Sequence, residues 1–228
     1  MSGLHNFLFG TYPYIALAIF FLGSLARFQR APYTWKSDSS QLLRHGQLRL
    51  GNNLFHVGVL ALFFGHLFGL LTPKELYHAL GLTTEAKQAL AITAGGIFGS
   101  ATLVGMILLV YRRLAEPRIR ATSSVMDIFI LLWILATLVL GLSSIFVSVG
   151  YPDGSVMAAL ASWAQHIVTF RGGAAELIAD VHPIYKVHLF FGMTVFLLFP
   201  FSRLVHVWSG FGSVRYLTRA YQIVRSRG

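Results

Sequence analysis

Apolar residues along this chain gather into five long blocks separated by short polar connections. The blocks run over residues 7–26, 50–71, 89–111, 128–149 and 183–208. Each is long enough to cross a bilayer as a helix, which takes about 20 mostly apolar residues. Arg27 ends the first block, Thr72-Pro73 the second and Arg112-Arg113 the third, while Pro183 suits the first turn of the fifth. Lys186 and Arg203 both lie within reach of an interface, where their apolar stems snorkel. Between the fourth and fifth blocks, residues 155–169 pattern as an amphipathic helix lying in the interface, with Trp163 at headgroup level and Arg171-Gly172-Gly173 breaking it. The expectation is an all-α membrane protein, a bundle of five transmembrane helices. It forms a single domain over residues 1–228 that ends in a basic tail, 210–228.

Composition agrees with that reading. Hydrophobic residues make up 55 % and charged residues 11 %, against roughly 25 % charged in a soluble domain. So little charge cannot cover a globule in water, but it can cover the two ends of a bundle whose sides face lipid. The net charge of +10 does not point to nucleic acid, because the basic residues sit between apolar blocks and not along an amphipathic stripe. With no Cys, disulfides, a c-type haem attachment and any iron–sulfur cluster are excluded from this chain. The first residues lack the basic run and small-residue cleavage site of a removed signal, so the N-terminus is expected to be retained.

Basic residues favour the cytoplasmic side of a membrane. One side receives Arg27, Arg30, Lys36, Arg44, Arg49, Arg112, Arg113, Arg118, Arg120, Arg203, Arg215, Arg219, Arg225 and Arg227; the other receives Lys74, Lys87, Arg171 and Lys186. This places the N-terminus outside and the C-terminus in the cytoplasm.

Of the nine histidines, His5, His45, His78, His166 and His182 fall in loops, at termini or at interfaces. Ordinary solvated roles suffice for them. His56 and His66 lie inside the second block, and His188 and His206 inside the fifth. An ionisable group inside a span is costly and points to function; the bland alternative is a histidine bonded to a neighbouring helix. Helix direction sets the levels. The second span runs outward and the fifth inward, so His66 shares the outer level with His188, and His56 the inner level with His206. Ten residues of helix rise about 15 Å and eighteen about 27 Å, so tilt, a kink at Pro200 and imidazole reach must absorb the difference.

Neither Cys nor a carboxylate accompanies these histidines within the spans, which leaves a zinc or copper site short of ligands. Two facing imidazoles instead fill both axial positions of a haem iron, an arrangement suited to electron transfer. Gly58, Gly65 and Gly69 share a face of the second span, and Gly192 lies one turn from His188; they make room for a flat ring or serve ordinary helix packing. Two such haems in series need a donor and an acceptor. The chain carries no nucleotide motif, so a lipid-soluble quinol and a partner protein are expected. A transporter relaying protons through the same histidines would hold no haem.

Several stretches resemble the γ subunit of bacterial respiratory nitrate reductase. They include Asn53-Leu54-Phe55-His56-Val57-Gly58, Gly65-His66-Leu67-Phe68-Gly69, Tyr12-Pro13-Tyr14, Tyr33-Thr34-Trp35, Arg118-Ile119-Arg120-Ala121-Thr122, Trp163-Ala164-Gln165, His188-Leu189-Phe190-Phe191-Gly192-Met193-Thr194, Phe201-Ser202-Arg203-Leu204-Val205-His206-Val207-Trp208-Ser209 and Tyr216-Leu217-Thr218-Arg219. The resemblance implies a multi-pass subunit of the bacterial inner membrane holding two haem b groups. The distal haem would sit between His66 and His188, and the proximal haem between His56 and His206. It implies oxidation of menaquinol or ubiquinol at the outer face, with Lys87 binding the quinol hydroxyl, Gly65 lining the pocket and protons released outside. Electrons would pass through the distal and then the proximal haem to an iron–sulfur β subunit and a molybdenum α subunit, both cytoplasmic, for nitrate reduction. A related dihaem subunit serving another reductase is the nearest rival.

Overall fold

The structure, a computed structural model, describes residues 3–31, 34 and 45–209. The residues described are almost all helical, and five helices are long and apolar enough to cross a membrane. Expectations resting on Tyr33, Trp35, Lys36, Arg44 and the tail from residue 210 lie outside the described residues.

The first span, α1 (Gly3–Arg30), contains two π-helical turns, Phe7–Thr11 and Ile19–Gly23. α2 (His45–Leu71) ends before Pro73, and a short α3 (Lys74–Ala79) follows. α4 (Thr84–Ala115) starts on the Thr83 hydroxyl, which accepts from the Ala86 N–H. After the short α5 (Pro117–Ala121), α6 (Val125–Ser148) begins with a reciprocal capping box between Ser124 and Asp127. α7 (Ser155–Val168) follows Gly154, whose φ of +72° suits glycine and whose missing side chain lets Thr84 approach. A 3₁₀ turn (Ala174–Ile178) leads to α8 (Pro183–Leu198), capped by His182, whose Nδ1 accepts from the Ile184 N–H.

The spans pack in a curved row: α2 along α4, α4 against α6, α6 against α8, and α8 against α1. Glycines set the tightest crossing. Gly58 lies against Phe98 and Thr102, and Gly105 against Gly51, Leu54 and Phe55, so these two helices touch backbone to backbone. α6 and α8 are joined by Trp133, which stacks on Phe191 at 4.3 Å and donates to its carbonyl at 3.1 Å. Large apolar side chains such as Val57, Leu60, Phe63, Phe146 and Val139 remain exposed on the flanks, as expected where lipid is the solvent.

α7 closes the end of the bundle near His66. Trp163 is buried inside the protein, 3 % exposed, where its sequence context alone suggested a ring facing the headgroups. Its Nε1 donates to the Phe9 carbonyl at 2.9 Å, and its ring joins a core of Phe9, Ala164, Ile167, Ala174, Ala175 and Ile178. Two residues on, the Gln165 amide donates to the Leu70 and Thr72 carbonyls at 3.0 and 3.4 Å, capping the end of α2. The helix thus ties α1 to α2, which accounts for its being packed and not floating.

The fifth span departs most from its expected form. Continuous helix stops at Leu198 instead of running to residue 208. Pro200 has no N–H to offer and its ring clashes with a continuing helix. The chain passes through a 3₁₀ turn (Phe199–Phe201), an extended Ser202 and a second 3₁₀ segment (Arg203–Trp208).

Candidate functional site: two histidine pairs between α2 and α8

α2 and α8 are separated where the histidines lie; close backbone packing runs the other way around the row. Across that separation the His66 and His188 rings stand 6.1 Å apart, centre to centre, and the His56 and His206 rings 6.3 Å. The break after Leu198 is what lets both pairs form from unequal sequence spacings.

All four imidazoles are oriented through the same nitrogen. Nδ1 of His56 meets the Asn52 carbonyl at 2.8 Å, that of His66 the Leu62 carbonyl at 2.7 Å, and that of His206 the Arg203 carbonyl at 2.7 Å. His188 reaches across to α6, where the Thr137 carbonyl lies 3.1 Å away. A carbonyl only accepts, so each Nδ1 carries the proton and each Nε2 is left with a free lone pair. Among the described residues Nε2 has no hydrogen-bond partner in any of the four. Fixing one ring nitrogen on a carbonyl is how proteins prepare the other for a metal.

The donor set fits a haem iron. A metal–imidazole bond is about 2.0 Å, and a ring centre lies about 1.1 Å behind its nitrogen, so two trans imidazoles have centres roughly 6.2 Å apart. No three His, Asp or Glu side chains converge on a common point among the described residues. Each pair could therefore offer two ligands, the number a porphyrin leaves open. A Cβ added at Gly65, Gly69 or Gly192 would meet nothing within 4 Å, which leaves space on those faces; Gly58 instead serves the packing of α2 on α4.

Gly141 and Thr137 of α6 belong to the site as well. A Cβ on Gly141 would lie 2.9 Å from His188 Cε1, so the ring occupies room that only glycine leaves. A lone glycine in a long apolar helix was the available sign, but nothing in the sequence says which ring it faces.

Lys87 is 8 % exposed, and its Nζ sits 4.0 Å from the centre of the Tyr77 ring. Among the described residues no acceptor holds this ammonium. The antiparallel register of α2 and α4, with Gly58 at Phe98–Thr102 and Gly51 at Gly105–Leu108, continues to place Lys87 across from Leu71. That is roughly 7 Å along the axis beyond His66. Four of the remaining histidines bond to other groups of the protein. His5 Nε2 donates to the Ala175 carbonyl, His78 meets Thr84, His166 meets the Gly172 carbonyl, and His182 caps α8.

At the opposite end, near His56 and His206, basic side chains cluster around one acid. Asp127 lies 3.8 Å from Arg113 and 3.6 Å from Arg203.

The family model described as nitrate reductase gamma subunit matches residues 5–227. The chain is 51 % identical to the respiratory nitrate reductase 2 gamma chain of Escherichia coli (strain K12), over 98 % of both chains. It is 49 % identical to the respiratory nitrate reductase 1 gamma chain of the same organism, over the whole of both. Over the whole of both chains it is also 39 % identical to the nitrate reductase gamma chain of Bacillus subtilis (strain 168).

Proposed function

The chain belongs to the nitrate reductase gamma subunit family, and from that premise we propose that it oxidises quinol at the His66 end and delivers the electrons to an iron–sulfur subunit at the His56 end. The observation that carries this reading is the repeated pair: two sets of facing imidazoles, each ring held at Nδ1 by a carbonyl.

Membership makes it a multi-pass membrane subunit of an oxidoreductase that works with further subunits. The finer assignments follow from residues. His66 and His188 would hold one haem b and His56 and His206 the other. When bound, these groups would supply one-electron iron chemistry. Carbonyl bonds at Nδ1 keep every imidazole in one tautomer and one orientation. Lys87, without an acceptor of its own, donates to a hydroxyl oxygen of menaquinol or ubiquinol. Gly65 leaves room beside His66 for the quinol ring. The basic residues at the far end, Arg112, Arg113, Arg118, Arg120 and Arg203, support assigning it to the cytoplasm, where the iron–sulfur and molybdenum subunits would sit. Protons from the quinol leave on the opposite, outer side, so turnover charges the membrane.

Reduced-minus-oxidised spectra and redox titration of the intact complex test this. The expected result is two b-type components. Replacing His66 or His188 removes one, and replacing His56 or His206 removes the other. Absence of any b-type band, or loss of the same component in His56 and His188 variants, overturns the reading.

A further inference from the structure

Pro200 ends the helix of the fifth span, yet the segment beyond it must hold His206 in one place. The backbone there lacks regular α-helical bonds to define it. Ser202 does part of the work: its hydroxyl donates to the Phe199 carbonyl at 3.1 Å and accepts from the Leu204 N–H at 3.2 Å.

The rest comes from α1. Nη1 of Arg27 donates to the Pro200 and Ser202 carbonyls, each at 2.8 Å. The other edge of the guanidinium holds Thr34, with Nε to Oγ1 at 3.0 Å and Nη2 to the carbonyl at 3.2 Å. Further up the same helix face, Gly23 leaves room for the Pro200 ring, which a Cβ would approach to 2.9 Å. Phe20 packs edge-on against Phe199 at 4.8 Å and against Phe196 at 5.3 Å, and lies 5.7 Å from Trp208. Positions 20, 23 and 27 form one stripe, and that stripe is fitted to the break. Of its three members only Arg27 bonds to the backbone on both sides of the turn. Four residues after Ser202 comes His206, anchored in turn on the Arg203 carbonyl.

We propose that Arg27 is a positioning residue, whose bridge between the Pro200 and Ser202 carbonyls sets where His206 stands beside His56. This rests on the haem reading of that pair. A planar fork with several fixed donors suits the task. A lysine would keep the charge, but three donors on one nitrogen cannot make the four bonds that the guanidinium makes from three. The competing role for Arg27 is a cytoplasmic charge that anchors the span at the membrane surface, and this role lysine would fill.

The test uses the intact complex with Arg27→Ala and Arg27→Lys, read by redox titration and by amide hydrogen exchange across residues 199–208. The expected result is faster exchange in that segment, together with a shifted potential or loss of the component that His206 variants remove. The His66/His188 component should keep its potential. Arg27→Lys should lie between wild type and Arg27→Ala. Wild-type behaviour of the component in Arg27→Lys, equal loss of both components, or faster exchange with an unmoved potential would each overturn the proposal. Failure of the haem reading itself is separate: it would show as His206 variants that retain both components.

Discussion

The two ends of the bundle solve one problem in different ways. At the His66 end, His188 sits on continuous helix, and its ring is held by another helix through Thr137 and Gly141. At the opposite end, His206 sits on a short 3₁₀ segment past a break, its Nδ1 bonded to its own segment at Arg203. The first ring is set by helix–helix packing and the second by local backbone clamped from α1. The difference follows from spacing. Eighteen residues of unbroken helix would rise about 27 Å, against about 15 Å between His56 and His66, so one ligand had to leave the helix. A site on packed helix should fail through steric crowding, and a site on a broken one through loss of the clamp.

The largest effect that separates the two is expected from Gly141→Val. Its side chain would enter the space of the His188 ring, and the component lost in His66 and His188 variants should disappear while the other keeps its potential. Gly141→Ala is the sharper version. A Cβ 2.9 Å from Cε1 forces the ring aside, yet alanine in a helix gains about 1 kcal/mol over glycine. Overpacking costs about 1–3 kcal/mol, so thermal stability should change little while the potential shifts. An unmoved potential would mean that α6 does not orient His188.

Pro200→Ala tests the other end and should have a smaller effect. Alanine restores an N–H and removes the clash that stops the helix, a change worth about 3 kcal/mol in a helix interior. The chain is then freer to continue as helix and carry His206 away from His56. Because Arg27 and Ser202 still hold the turn, partial loss or a shift of the His56/His206 component is expected, with the other unchanged. Wild-type titration of both components would show that the break does not depend on the proline.

The comparison also shows what the amino-acid sequence can convey. The five spans were readable because a bilayer demands about 20 apolar residues at a stretch, and nothing else in the chain imitates that. Which rings share a level was readable too, since alternating helix direction orders them without any knowledge of packing. The form of residues 199–208 was not. Pro200 announces a disturbance, but whether a helix kinks and resumes or breaks depends on who satisfies the carbonyls, and Arg27 lies 173 residues away from Pro200. The packing of Trp163 was hidden for a related reason. An amphipathic helix with a tryptophan looks interfacial, and only the π-helical turn at Phe7–Thr11, with the Phe9 carbonyl to receive its N–H, makes the ring a core residue. Gly141 was visible as a glycine, but its partner was not. In each case periodicity identifies a face, and only the meeting of two faces assigns its role.

The smallest expected effect falls on neither histidine pair. Lys87 stands about one and a half turns beyond His66, buried against Tyr77 and without an acceptor among the described residues. If its ammonium donates to the quinol oxygen, Lys87→Ala removes a hydrogen bond to a charged group, worth about 1.5–3 kcal/mol. That corresponds to roughly a ten- to hundredfold rise in the quinol concentration needed for half-maximal reduction. Both spectral components should keep their potentials, because Lys87 touches neither pair. Lys87→Arg should recover part of the loss, since the charge and a donor remain. The folded bundle should be only slightly weakened, as the lost contact with the Tyr77 ring is worth about 0.5–2 kcal/mol. Stopped-flow reduction by a soluble quinol analogue measures the first effect and redox titration the second. Unchanged quinol kinetics would reduce Lys87 to an interfacial cation resting on an aromatic ring. Loss of the His66/His188 component would instead place it in the support of the histidine pair and remove the distinction between the two roles at that end.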